Sequence, residues 1–190
     1  MNIKDGDILL CKSSDIVSRL IMWGTDSVYS HVAVVASEKL GLIIEAVPAG
    51  GVRAISIGNY KTAFDLYRVK VGYAFDSPEV TAYLVSMLAR GYDFKSVVRL
   101  GWKMFLRKMR LLKLLGLKAA GNKKASDELQ EDNDYFCSEL CYRAFYEGGG
   151  LDIVPQVGSA ETTSPGDIAR SGVLERIDRG TAGAANKESV

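Results

Sequence analysis

Three residues of this chain combine a reactive side chain with a setting that asks for an explanation. Cys137 opens an amphipathic stretch, Cys137-Ser138-Glu139-Leu140-Cys141-Tyr142-Arg143, just behind Asp132, Asn133 and Asp134. Asn133 or Asp134 can cap a helix there, which puts Cys137 in its first turn. At that end the unpaired backbone N–H groups and the helix dipole favour a thiolate over a thiol. His31 is the only histidine in the chain and sits in the run Ser30-His31-Val32-Ala33-Val34-Val35. Glu45 interrupts the apolar run Leu42-Ile43-Ile44-Glu45-Ala46-Val47. A lone carboxylate in such a strand is costly to cover without a partner.

His31 and Glu45 can be that pair. The two runs flank Ser37-Glu38-Lys39-Leu40-Gly41 and read as a hairpin. A turn centred near Lys39 sets His31 opposite Val47 and diagonal to Glu45 on one sheet face, roughly 7–8 Å apart between backbones. A slip of one residue would put them on opposite faces. An imidazole beside Cys137 would lower the thiol pKa and make a thiolate–imidazolium pair able to attack a carbonyl. The N–H groups of the helix start, that of Cys137 included, would stabilise the resulting oxyanion. Cys137, His31 and Glu45 then form a nucleophile, a base and an orienting carboxylate. Each has a plainer reading, as core filling or as a satisfied strand residue. Cys137, Cys141 and His31 would supply only three soft ligands, short of a closed zinc site, so no metal and no cofactor are expected. Cys11 and Cys141 read as buried packing.

The elements that must position these residues follow from the pattern. Asp7 to Lys12 reads as a first strand, and Ser13-Ser14-Asp15 as the cap of a helix that runs to Trp23. After the hairpin and a turn at Pro48 to Gly51, Val52 to Ile57 and Phe64 to Val71 read as further strands. Ser77-Pro78-Glu79 opens a helix with Ser77 as cap, extending to about Arg90, and a second helix spans about Tyr135 to Glu147 before Gly148-Gly149-Gly150. A loop, Ser164 to Ser171 and a short strand from Val173 to Ile177 complete an α+β chain.

The order of these motifs resembles a known family. GDILL, YSHVAVV, IIEAVPAGGVRAISIGNY, LYRV, GYDF, YFCSELCYRAF and SPGDIARS together are similar to the circularly permuted NlpC-type papain-fold hydrolases. The YiiX-like branch is the nearest in pattern, and the group is related to the lecithin–retinol acyltransferases. The resemblance covers roughly residues 5 to 178 apart from the 95–130 segment. It implies a permuted papain-like fold, in which a central antiparallel sheet or partial barrel packs against the cysteine-bearing helix. It also implies that Cys137 is the nucleophile, His31 the base and Glu45 the third residue, and that Tyr92 lines the site.

Composition narrows the class. With 190 residues, 47% hydrophobic and 25% charged, the chain suits one folded domain over 1–178, with a basic insertion at about 95–130 and a polar tail over 179–190. Three cysteines without framework spacing argue for reduced thiols and a cytoplasmic setting. No signal peptide and no membrane-spanning run are expected. Residues 95–118 carry eight Lys or Arg and no acid among leucines, Trp102 and Phe105. That pattern suits either an amphipathic insertion that packs on the domain as a lid or a helix on an anionic membrane surface, and both better than nucleic acid. The expected function is a cysteine hydrolase or acyltransferase, with a peptide, a lipid or a small amide as acyl substrate. The alternative is a catalytically idle lipid- or peptide-binding module.

Overall fold

A computed structural model describes residues 2–12, 22, 27–48, 50–91 and 136–180. The predicted helix that runs to Trp23, Met22 apart, Tyr92, the basic insertion at about 95–130 with its segment 95–118, and residues 181–190 lie outside the described residues. The first two residues of the tail expected over 179–190 instead extend the last strand, Arg179 pairing with Asp65 and Gly180 with Phe64. Six strands form one antiparallel sheet: β1 (Ile8–Lys12), β2 (His31–Ser37), β3 (Leu42–Val47), β4 (Gly51–Ser56), β5 (Ala63–Val69) and β6 (Leu174–Gly180). Their order is β4-β3-β2-β1-β5-β6, so the sheet runs linearly from β4 to β6. The first strand lies near its middle, between β2 and β5. Its apolar run is buried on both faces, with Ile8, Leu9, Leu10 and Cys11 all fully covered.

Strand alternation divides the core in two. Ile8, Leu10, Val32, Val34, Ile44 and Ala46 point to the larger half, under the helices. Leu9, Cys11, Ala33, Val35, Ile43 and Leu66 point to a smaller cluster that includes Tyr60 and Phe64. Among the described residues are the α-helices α1 (Ser77–Ser86), α2 (Cys137–Arg143) and α3 (Pro165–Ala169). Helix α2 packs on β2 and β3, and α1 contacts β2 and the turn after α2.

Three helix boundaries differ from the sequence expectation. The N-cap of α1 is Asp76, whose carboxylate accepts the Glu79 N–H, and Ser77 is already helical. The reason is that the Val80 N–H, which a Ser77 cap would need, bonds the Asp76 carbonyl. The helix also stops at Ser86 rather than Arg90. The turn that follows docks on the edge of β4, with Ala89 N–H donating to the Val52 carbonyl and Val52 N–H to the Arg90 carbonyl. The cysteine helix likewise begins at Cys137 and passes into a π-helical turn at Ala144–Gly148.

The motif Ser164-Pro165-Gly166-Asp167 has a structural task. Ser164 and Asp167 form a capping box at the start of α3. Gly166 leaves room for Ser27, because a β-carbon there would stand 2.7 Å from the Ser27 Cβ. The chain leading into His31 is thereby seated against α3. Asp7 of the first motif pairs with Arg68 at 2.7 Å and ties β1 to β5.

Candidate active site

The hairpin register places His31 and Glu45 as the sequence parity requires. Ala33 pairs with Glu45 across β2 and β3, which leaves His31 diagonal to Glu45 on the same face. The diagonal is closed by a hydrogen bond of 2.8 Å between His31 Nε2 and Glu45 Oε2. His31 opens β2 and keeps 18% of its side chain exposed, whereas Glu45 is 2% exposed.

Cys137 meets His31 from above the sheet. The Cys137 sulfur is coupled electrostatically to the His31 ring, and the backbone N–H groups of Val32 and Ser138 favour its charge. With Nε2 held by Glu45, Nδ1 is the ring nitrogen left to face the sulfur. The N-cap of α2 is Phe136, extended at φ −96 and ψ 160, whose side chain makes no cap hydrogen bond. This corrects the expectation that Asn133 or Asp134 is the cap. Phe136 is core, 2% exposed, and its anchoring sets where the helix starts. The sulfur is also better covered than a helix start suggests, since Cys137 is 7% exposed.

The electrostatics separate the three thiols. Burial pushes the Cys137 thiol up, but the neighbouring His31 charge, the His31 hydrogen bond and the two backbone donors outweigh it, and its pKa falls below the ordinary value. Burial pushes Cys11 up to about 12. Cys141 is also raised by burial, with the Cys137 charge adding to the effect. Burial favours neutral His31, yet the Cys137 thiolate and Glu45 together hold it above the usual histidine range. Glu45 is desolvated, and still His31 and Arg53 hold its carboxyl down at about 2.

Two members of the site escaped the sequence reading. Arg53, directly opposite Glu45 in the β3–β4 register, donates Nε and Nη2 to Glu45 Oε1 at 3.0 and 2.7 Å. Tyr60 donates its hydroxyl to Glu45 Oε2 at 3.1 Å. The signal for Arg53 was present, because a turn centred on Ala49 sets residues 45 and 53 opposite each other. Tyr60 follows a 3₁₀ turn at Ile57–Asn59, and no periodicity would have reached it. Tyr92, the fourth expected residue, lies outside the described residues. Among the described residues, no three His, Cys, Asp or Glu side chains group as metal ligands, and no helix is long and apolar enough to cross a membrane.

No protein-family model matches the chain, and no curated protein matches it. Among solved structures, the crystal structure of the metalloprotein YiiX from Escherichia coli O157:H7 aligns with a TM-score of 0.64 at 17% identity. The alignment covers 94% of this chain and 98% of that one. At such identity the likeness is one of fold: the chain shares with YiiX a mixed α+β architecture along nearly its whole length.

Proposed function

We propose that the protein is a cysteine-dependent hydrolase or acyltransferase with a permuted papain-like fold, acting on an amide or ester carbonyl through a thioester. The observation that carries this reading is the continuous chain Glu45–His31–Cys137, in which Cys137 alone of the three thiols is favoured as thiolate. The motif pattern and the fold shared with YiiX support the same architecture.

In the resting state Cys137 is a thiolate and His31 an imidazolium. The sulfur attacks the carbonyl carbon, and the oxyanion forms near the N–H groups at the start of α2. As the tetrahedral adduct collapses, the C–N or C–O bond breaks and His31 gives its proton to the leaving amine or alcohol. Neutral His31 then takes a proton from water, or from an acceptor amine or alcohol, as that group attacks the thioester. The C–S bond breaks, and both charges are restored. Glu45 holds the ring and stabilises the imidazolium without giving up or taking a proton. The acyl substrate is a peptide, a lipid or a small amide, and the basic segment 95–118 brings the protein to an anionic membrane surface.

Intact-mass analysis after incubation with a lipid and cell-wall peptide extract tests this directly. A substrate-derived acyl adduct on Cys137 is expected. If a thiol-directed probe at neutral pH labels Cys137 no faster than Cys11 or Cys141, the proposal fails.

A further inference from the structure

We propose that Arg53 and Tyr60 are positioning residues that restrain the base strength of His31 by sharing the charge of Glu45. The inference rests on the acyl-transfer reading above and concerns how its acid step is made possible.

The geometry is a count of donors. An ionised carboxylate offers about four lone-pair sites and no proton. Glu45 has four donors: Nε and Nη2 of Arg53 on Oε1, and His31 Nε2 and Tyr60 Oη on Oε2. Since a carboxylate only accepts, the Tyr60 hydroxyl must donate to it. The hydroxyl oxygen is then an acceptor for Cys11, whose sulfur lies 3.1 Å away. Cys11, pushed up to about 12, keeps its proton at any working pH and so has an S–H to give. Its other acceptor, the Leu9 carbonyl, is farther, at 3.7 Å. The direction of the whole chain is fixed, from Cys11 to Tyr60 to Glu45, with His31 as the fourth donor.

The charges along the site alternate: Arg53 positive, Glu45 negative, His31 positive, Cys137 negative. Among the described residues, these are the charged or titrating groups that face the imidazole, from β4, β3 and α2, with Tyr60 after β4 and Cys11 on β1 beyond them. A carboxylate and a thiolate, each unshared, would grip the imidazolium so firmly that it would be a poor acid toward a leaving group. A proton donor works best with a pKa near the working pH. Arg53 opposes that grip twice, by drawing Glu45 charge onto its own N–H groups and by repelling the imidazolium through space. Tyr60 does the first only. The Arg53 side chain is half exposed, so its effect is moderate and screened by salt.

A purely structural brace makes the opposite prediction. If Arg53 only kept Glu45 in place, its removal would loosen the carboxylate, and His31 would drift down toward an ordinary histidine. The sign of the change decides.

The chain has one histidine, so its ring C–H signal is unambiguous in an NMR titration. The titration is run on the full chain as wild type, Arg53→Gln, Arg53→Lys and Tyr60→Phe, and repeated with each combined with Cys137→Ala, which brings the midpoint into an easy range. Arg53→Gln should raise the His31 midpoint by roughly 0.3–0.7 unit, a two- to fivefold change in the protonation equilibrium. Arg53→Lys should return it most of the way, Tyr60→Phe should raise it by less, and added salt should narrow the gap between wild type and Arg53→Gln. An unchanged or lowered midpoint in Arg53→Gln overturns the proposal. If that variant does not fold, an unchanged or lowered midpoint in Tyr60→Phe does the same. Failure of Cys137 to label selectively would instead sink the enzymatic reading, so the two outcomes are separable.

Discussion

At the scale of single residues, the three cysteines have the same side chain and three different surroundings. Cys137 meets a cation and two N–H donors, Cys11 meets a phenol, and Cys141 meets apolar atoms of the core between the helices and the sheet. Cys137→Ala should therefore abolish turnover with the circular dichroism spectrum unchanged. Cys141→Ala should retain turnover and lose about 1 kcal/mol of stability, because the site is 1% exposed and the substitution leaves a small void. Activity in Cys137→Ala equal to wild type would remove the nucleophile. Glu45→Gln is expected to slow turnover without ending it. It also carries a pH signature. The folded carboxyl lies at about 2 against an ordinary 4.5, so its contribution to stability is complete above 4.5 and is lost as pH falls toward 2. The total is of order 3 kcal/mol. Urea unfolding at several pH values should show a steeper loss between pH 4.5 and 2 in wild type than in Glu45→Gln. Parallel curves would mean that Glu45 is not held as a carboxylate.

At the scale of elements, the weight falls on the hairpins that carry His31, Glu45 and Arg53. Strand β4 is an edge whose Val52 is paired with the turn after α1, and Gly51 makes that approach possible. Its φ is +61, and a β-carbon there would lie 2.1 Å from the Arg90 carbonyl oxygen, which is backbone and cannot swing aside. Gly51→Ala should cost about 2 kcal/mol or more, with hydrogen exchange at the Val52 amide accelerated before other sheet amides. Gly172→Ala, where nothing stands within 4 Å, is the control and should change stability by no more than about 0.5 kcal/mol. Equal effects at the two glycines would contradict the docked turn. Because Arg53 is on β4, loosening this edge should also disturb Glu45.

At the scale of the whole molecule, the remaining question is what the basic segment meets. Eight cations over residues 95–118 without an acid should bind anionic vesicles at low salt, with each engaged Lys or Arg worth about 1 kcal/mol. Vesicle sedimentation should show binding that falls as salt rises and weakens when Lys103, Arg107, Lys108 and Arg110 are changed to Gln. Protein that stays in the supernatant with anionic vesicles at low salt would end the membrane proposal.

Sequence by itself determined what depends on period and on local turn chemistry. Short apolar and β-branched runs marked β1, β2 and β3, and a turn centre near Lys39 was enough to set His31 beside Glu45, because strand parity admits only two answers and one of them buries a lone carboxylate. Tertiary structure decided what depends on distant chain segments meeting. Asp76 displaced Ser77 as cap because the Val80 N–H already had a partner, and Phe136 displaced Asn133 and Asp134 because the core held it. The assignment of a thiolate to Cys137 rests on a histidine 106 positions earlier in the chain and on the Val32 N–H. The grip of Arg53 and Tyr60 on Glu45 needed the packed sheet, since donor and acceptor counts around a buried carboxylate exist only once the strands and the turn after β4 have closed around it.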